Sequence, residues 1–150
     1  MKKFTKIIGA MLLLAFVSTN MKAQEITDAD LKDYAIILLA QKSITDKISP
    51  MVNAQIAAQE GIDGKRYAEL NKAAKGKIDK LPADATDFEK QFYGIVQKRV
   101  DKKTKAAKTV VNTLASNGLG ASKYKEIRTA IKSDSAMKAK IDGYMAALSR

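Results

Sequence analysis

Six cations crowd the eleven residues from Lys98 to Lys108: Lys98, Arg99, Lys102, Lys103, Lys105 and Lys108. Spacings of four and three put Lys98, Lys102 and Lys105 on one side of a helix. A stripe of this kind can grip phosphates or acidic chains, with a strength that falls as salt rises. The same pattern also dresses long helices for solubility, so the surroundings of the stripe decide between the two roles. Lysine outnumbers arginine here, which favours point-charge contacts over bidentate ones. No aromatic side chain interleaves the stripe, so nucleic-acid bases have no platform to stack on. Nucleic acid is therefore disfavoured, and the expected partner is an acidic polymer or an acidic protein.

Paired carboxylates are the other route to chemistry. Asp84 and Asp87 flank a break between helices, and Asp28, Asp30 and Asp33 cluster at a helix start. Two carboxylates at a set separation can run glycosidic acid–base chemistry. Carboxylates at helix starts also cap backbone N–H groups and complement the helix dipole, which is the role expected here. The chain has no Cys, no His and no Trp. That removes disulfides, an acylated cysteine, Cys/His zinc sites, His-centred triads and an indole for stacking sugars. No Asp-rich calcium loop is present, so no metal ligand, cofactor site or catalytic residue is assigned. Gly61, Gly64, Gly118 and Gly120 follow helices and lack the Lys-Ser/Thr of a nucleotide loop; they punctuate helices.

The elements that must carry these residues are helices throughout. Residues 1–23 form a positive end (Lys2, Lys3, Lys6), an apolar run Ile7 to Val17 and a small-residue exit at Ala23. This reads as a signal peptide cut between Ala23 and Gln24, its core too short to span a bilayer. The leader resembles those of Gram-negative bacteria, so the expected address is the periplasm, with release from the cell as the alternative. Its removal takes four cations and leaves 23 basic against 16 acidic residues, a net charge of +7 in place of +11. Residues 24–150 suffice for one domain that packs without staples.

Capping boxes at Thr27–Asp30 and Thr86–Glu89 open two long helices. Along the first, Ile37, Ile44, Met51 and Ala58 recur seven apart as one seam, with Ile36 to Leu39 expected deepest. Pro50 should kink or divide it near Ile48–Ser49. Gly61 closes it, and Asp63 caps a shorter helix with Tyr67, Leu70, Ala74, Ile78 and Leu81 on one side. The second long helix places Phe88, Phe92, Ile95, Val96, Val100, Ala107 and Val110 on its apolar side and closes at Gly118. Two short helices follow, around Tyr124–Ile131 and Met137–Leu148. Gly61 to Leu70 lines up without gaps on Gly118 to Ile127, matching Tyr67 with Tyr124 and Leu70 with Ile127. The expected fold is an all-α bundle of two long and two or three short helices, with a two-fold internal repeat.

The opening Ile26-Thr27-Asp28-Ala29-Asp30-Leu31-Lys32-Asp33-Tyr34-Ala35 resembles the start of a bacterial domain-of-unknown-function family of exported helical proteins. Gly118-Leu119, Tyr124, Ile127, Ala130, Ser133-Asp134 and Met137 resemble that family's closing motif. Gly120 stands where a capping Ser or Thr is typical, and Ser135 where Pro is common. The resemblance implies a helical fold and export, and brings no activity with it. The expected function is thus an exported, non-enzymatic envelope protein that meets an acidic partner through its basic helical surface. Three alternatives accompany it: a periplasmic holdase, a small carboxylate-based cell-wall glycan hydrolase, and a secreted effector acting on host cells. A holdase needs an apolar concavity exposing residues such as Ile36, Leu39, Ile95 and Val110.

Overall fold

Two threonines set where the long helices begin. The Thr27 hydroxyl accepts from the Asp30 amide while the Asp30 carboxylate accepts from the Thr27 amide, and Thr86 and Glu89 repeat the exchange. In the computed structural model, which describes residues 25–150, these boxes open α1 (Asp28–Thr45) and α4 (Asp87–Leu114). The expected leader and its expected cleavage point lie outside the described residues.

α1 stops at Thr45, and a turn at Asp46 and Lys47 leads into α2 (Ile48–Ala57). The break falls two residues before the expected Ile48–Ser49, and Pro50 explains the offset. Pro50 has no N–H for the Asp46 carbonyl and its ring crowds that group, so the helix restarts with Pro50 in the first turn. Asp63 caps α3 (Gly64–Ala74) by accepting from the Arg66 amide at 2.7 Å. α3 ends at Lys75 in a left-handed conformation, so Ile78 leaves the expected apolar side and sits, about half exposed, in a 3-10 turn (Ile78–Lys80). Beyond α4 a π turn (Ala115–Leu119) leads to α5 (Ala121–Ala130), and Asp134 caps α6 (Ser135–Leu148). With α1 and α2 counted as one broken arm, the fold is an all-α bundle of two long arms and three short helices. No strand occurs among the described residues.

Gly118 does not close the second arm. It sits inside the π turn, and the left-handed residue is Gly120, with φ at +91°. Gly120→Ala should therefore cost about 1–2 kcal/mol, whereas Gly118→Ala should be neutral or stabilise by up to about 1 kcal/mol. Urea denaturation of the two variants compares them directly.

Apolar side chains gather into two cores. One joins α2, α3 and the first half of α4 around Leu70, Ala74, Tyr93 and Val96. The other joins α1, α5 and α6 around Tyr34, Ala35, Ile127 and Ile141. The repeat seen in the sequence acquires a geometry here. Tyr67 packs on Tyr93 of α4 at 5.7 Å and 38°, and Tyr124 on Tyr34 of α1 at 5.1 Å and 35°. Tyr34 and Tyr93 each lie seven residues after their capping Thr. Arg66, just before Tyr67, reaches Glu89 at 2.6 Å, and Lys123, just before Tyr124, stands 4.0 Å from Asp30. Each short helix thus clamps the start of the other half's long helix, with Leu70 and Ile127 fully buried behind the clamp. The same tyrosine pairing and the same approach of a cation to a capping-box carboxylate occur twice, exchanged between halves.

The expectation that Ile36 to Leu39 lies deepest holds only for Ile37. Ile36 is 43% exposed, and Leu38 and Leu39 are half-buried. An α-helix turns about 100° per residue, so four successive side chains cannot all face the helices packed on α1.

Candidate functional site

The first half of α4 is sealed into a core by Phe92, Tyr93, Val96 and Gln97, whereas between Lys98 and Lys108 only Ala107 is buried. The cations occupy the stretch of the helix with the least cover. Lys98, Arg99, Lys102, Lys105 and Lys108 are exposed and Lys103 is half-buried. Among the described residues none of the six has a hydrogen-bond or ion-pair partner, while Lys42, Arg66, Lys90, Lys123 and Lys140 each hold an acid.

Helical rotation divides the six. Arg99, Lys102 and Lys103 border an apolar groove of about 400 Å³ floored by Ile44, Met51 and Ala106. Lys98 and Lys105 are solvent-exposed beside them. Lys108 lies apart, in a different pocket with Tyr34 and Arg128. The groove shares Met51 and Arg99 with a larger one of about 560 Å³, lined by Ala54, Ala58, Phe88, Phe92 and Ile95. Phe88 stacks on Phe92 at 6.0 Å, yet Phe88 stays 41% and Ile95 52% exposed. No carboxylate lines either groove. The result is an open apolar trough between α2 and α4, cationic at one end.

Sequence periodicity assigned Ile95 and the seam Ile44, Met51 and Ala58 to the core. The structure places them along this trough. An apolar stripe signals that a helix side is fit to be covered, but whether a neighbour covers it depends on where the other helices end. Gly61 (φ +97°) turns the chain after α2, and a Cβ there would meet the Phe88 ring at 3.6 Å, at the trough's edge. Gly61 and Gly118 thus belong to turns, and Tyr67, Leu70, Tyr124 and Ile127 to the clamps.

A partly buried polar network was invisible in the sequence. Gln97 donates to the Tyr67 hydroxyl at 3.0 Å, and the Tyr93 hydroxyl donates to Asn71 at 3.0 Å while accepting from the Gly76 amide at 2.9 Å. Burial pushes the Tyr67 and Tyr93 phenols up. Every member is satisfied within the network, which fits positioning of α3 against α4. The acidic pair takes surface ion-pairing roles. Asp84 is 70% exposed and meets Arg66 at 3.2 Å; Asp87 is 95% exposed and meets Lys90 at 3.5 Å. Neither lines a cavity with a second carboxylate, the arrangement a glycan hydrolase would use. Among the described residues no group of three or more Cys, His, Asp or Glu is placed to hold a metal ion, and no helix is long and apolar enough to cross a membrane. No family model, no curated protein and no solved structure matches this chain.

Proposed function

We propose that this chain is an exported, non-enzymatic envelope protein that holds an acidic polymer or acidic protein against α4. The observation that carries the reading is the run Lys98–Lys108, where among the described residues the six cations form no ion pair, although Asp101 lies in the same run, and five of them are exposed. Unpaired cations on a rigid helix retain their attraction for an incoming polyanion, and a positive net charge adds long-range steering. The six span about 15 Å of helix at 1.5 Å per residue, enough to meet several charges of a sulfated or phosphorylated chain at once.

Residues 24–150 should bind heparin and lipopolysaccharide, with an affinity that falls steeply between low and physiological salt. Changing Lys98, Lys102, Lys103 and Lys105 together to Gln should weaken binding by roughly tenfold or more and flatten the salt dependence. Peptidoglycan is the third probe in the same salt series. Equal binding by the variant, or no binding by the natural chain, would overturn the reading. Lys98, Lys102 and Lys105 are exposed and Lys103 is half-buried, so thermal unfolding of the variant should stay within a few degrees of the parent.

A second reading, the holdase, is favoured by the trough itself. Phe88 and Ile95 present apolar surface in a concavity with cations at one end, which suits an unfolded acidic client. Ile95→Ser should abolish suppression of client aggregation if that reading holds, while leaving heparin binding intact.

A further inference from the structure

The duplicated architecture produces two related pockets whose chemistry has diverged. One lies between α2, α3 and α4, the other between α1, α4 and α5. The long-helix positions match at a spacing of 59 residues and the short-helix positions at 57, as Thr27 matches Thr86 and Tyr67 matches Tyr124. On that register Val52 corresponds to Val111, Asn53 to Asn112 and Tyr67 to Tyr124, and all six line their respective pockets. The walls are alike. The remaining counterparts are not: Ser49 becomes Lys108, Asn71 becomes Arg128, Gln97 becomes Leu38 and Val100 becomes Gln41.

These exchanges convert a self-satisfied pocket into a receptive one. In the first pocket Gln97 is consumed by the Tyr67 hydroxyl and Asn71 by the Tyr93 hydroxyl. In the second, Leu38 offers no hydrogen bond, and neither Lys108 nor Arg128 has a hydrogen-bond or ion-pair partner among the described residues. No carboxylate lines this pocket of about 450 Å³, a volume within the range of small-molecule sites. Its lining pairs apolar surface from Leu38, Val111 and the rings of Tyr34 and Tyr124 with the two cations and the amides of Gln41 and Asn112. Such a lining complements a compact anionic head on an apolar body, because each cation gains a charge-assisted hydrogen bond while the body displaces water from the rings.

We infer that the pocket formed by α1, α4 and α5 binds a small organic anion, a carboxylate or phosphate monoester carrying an apolar group, between Lys108 and Arg128. This site is distinct from the α4 trough. It shares Lys108 with the cation run but depends on Arg128, Tyr124 and Leu38, which polyanion binding does not use.

Phenyl phosphate titrated into nitrogen-15-labelled residues 24–150 tests the assignment, with benzoate, inorganic phosphate and phenol as comparison probes. Phenyl phosphate or benzoate should give saturable amide shifts confined to α1, α5 and the last turns of α4. Inorganic phosphate and phenol should bind at least tenfold more weakly, since each lacks one half of the chemistry. Arg128→Asn and Lys108→Ser install the residues of the first pocket, and each should weaken phenyl phosphate by roughly five- to tenfold without moving Tm. Heparin binding should survive Arg128→Asn, and phenyl phosphate binding should survive the four-Gln variant of α4, so the two sites fail separately. The inference is overturned by shifts that map to the trough, by unchanged affinity in the Arg128→Asn, Lys108→Ser double variant, or by inorganic phosphate matching phenyl phosphate. Absence of saturable shifts up to about 10 mM of either organic probe also overturns it.

Discussion

Truncation of Leu70 to Ala is expected to destabilise the fold by about 3 kcal/mol, and the same cut at Ile127 by a similar amount. Both side chains are fully buried, each behind a tyrosine clamp and each in a different core. Removing three methyl or methylene carbons loses their transfer free energy and leaves a space that the packed helices close only in part. Because the cores share no buried residue, the two losses should add, taking about 6 kcal/mol from a total stability of typically 5–15 kcal/mol. Urea unfolding followed by circular dichroism measures this. α4 supplies Phe92, Tyr93 and Val96 to one core while its C-terminal portion packs beside α1, so a single cooperative transition is expected in each single variant. Two separated transitions in Leu70→Ala would show that the cores fold as independent units and would sink the interlocked description.

The second large effect belongs to Glu89. Its carboxylate is buried, receives Arg66 Nε at 2.6 Å and Nη2 at 3.1 Å, and accepts from the Thr86 amide at 2.8 Å. The Arg66 hydrogen bonds, reinforced by the Thr86 amide and opposed by burial, hold its pKa down to about 2 from the ordinary 4.5. A carboxylate whose folded pKa lies below its unfolded value contributes stability that is complete above about pH 4.5 and is lost as pH falls towards 2. The contribution is on the order of 2–3 kcal/mol at neutral pH. Glu89→Gln should therefore lower Tm by about 5–10 °C at pH 7 and make the fall in stability between pH 4.5 and 2.5 clearly shallower, leaving the share that Asp30 contributes. Asp30, its counterpart, is also held low, chiefly by the Thr27 amide, but Lys123 stands 4.0 Å away in place of a bidentate guanidinium. Asp30→Asn should accordingly cost less than half as much. An acid limb in Glu89→Gln as steep as the parent's would refute the account.

Local chemistry was legible in the sequence because it acts over three or four residues. Thr27 with Asp30, Thr86 with Glu89 and Asp63 with Arg66 cap the helices at the positions the sequence indicated, and Asp134, read only as part of a turn, caps the last helix through the Met137 amide. Pro50 divides the first arm close to where its missing N–H requires it to. Tyr67, Leu70, Tyr124 and Ile127 could be matched as a repeat before any contact was known. Where spacing was pressed into predicting cover, it failed: Ile36 and Ile95 are exposed, and Gly118 yields the left-handed position to Gly120.

What the sequence by itself determined is the helical alphabet: which segments are helices, where the capped ones start, which sides are apolar, and that neither Cys nor His chemistry is available. Tertiary structure alone decided how those sides were spent. It exchanged the short helices so that Arg66 and Lys123 reach across to Glu89 and Asp30, placed three of the six cations at a trough and one in a pocket, and left Phe88 and Ile95 without a covering helix. The physical reason is one of range. Capping, backbone hydrogen bonding and proline sterics are settled within a single turn of chain. Burial and charge pairing depend on which distant helix arrives alongside, and that arrangement minimises exposed apolar area over the whole molecule at once.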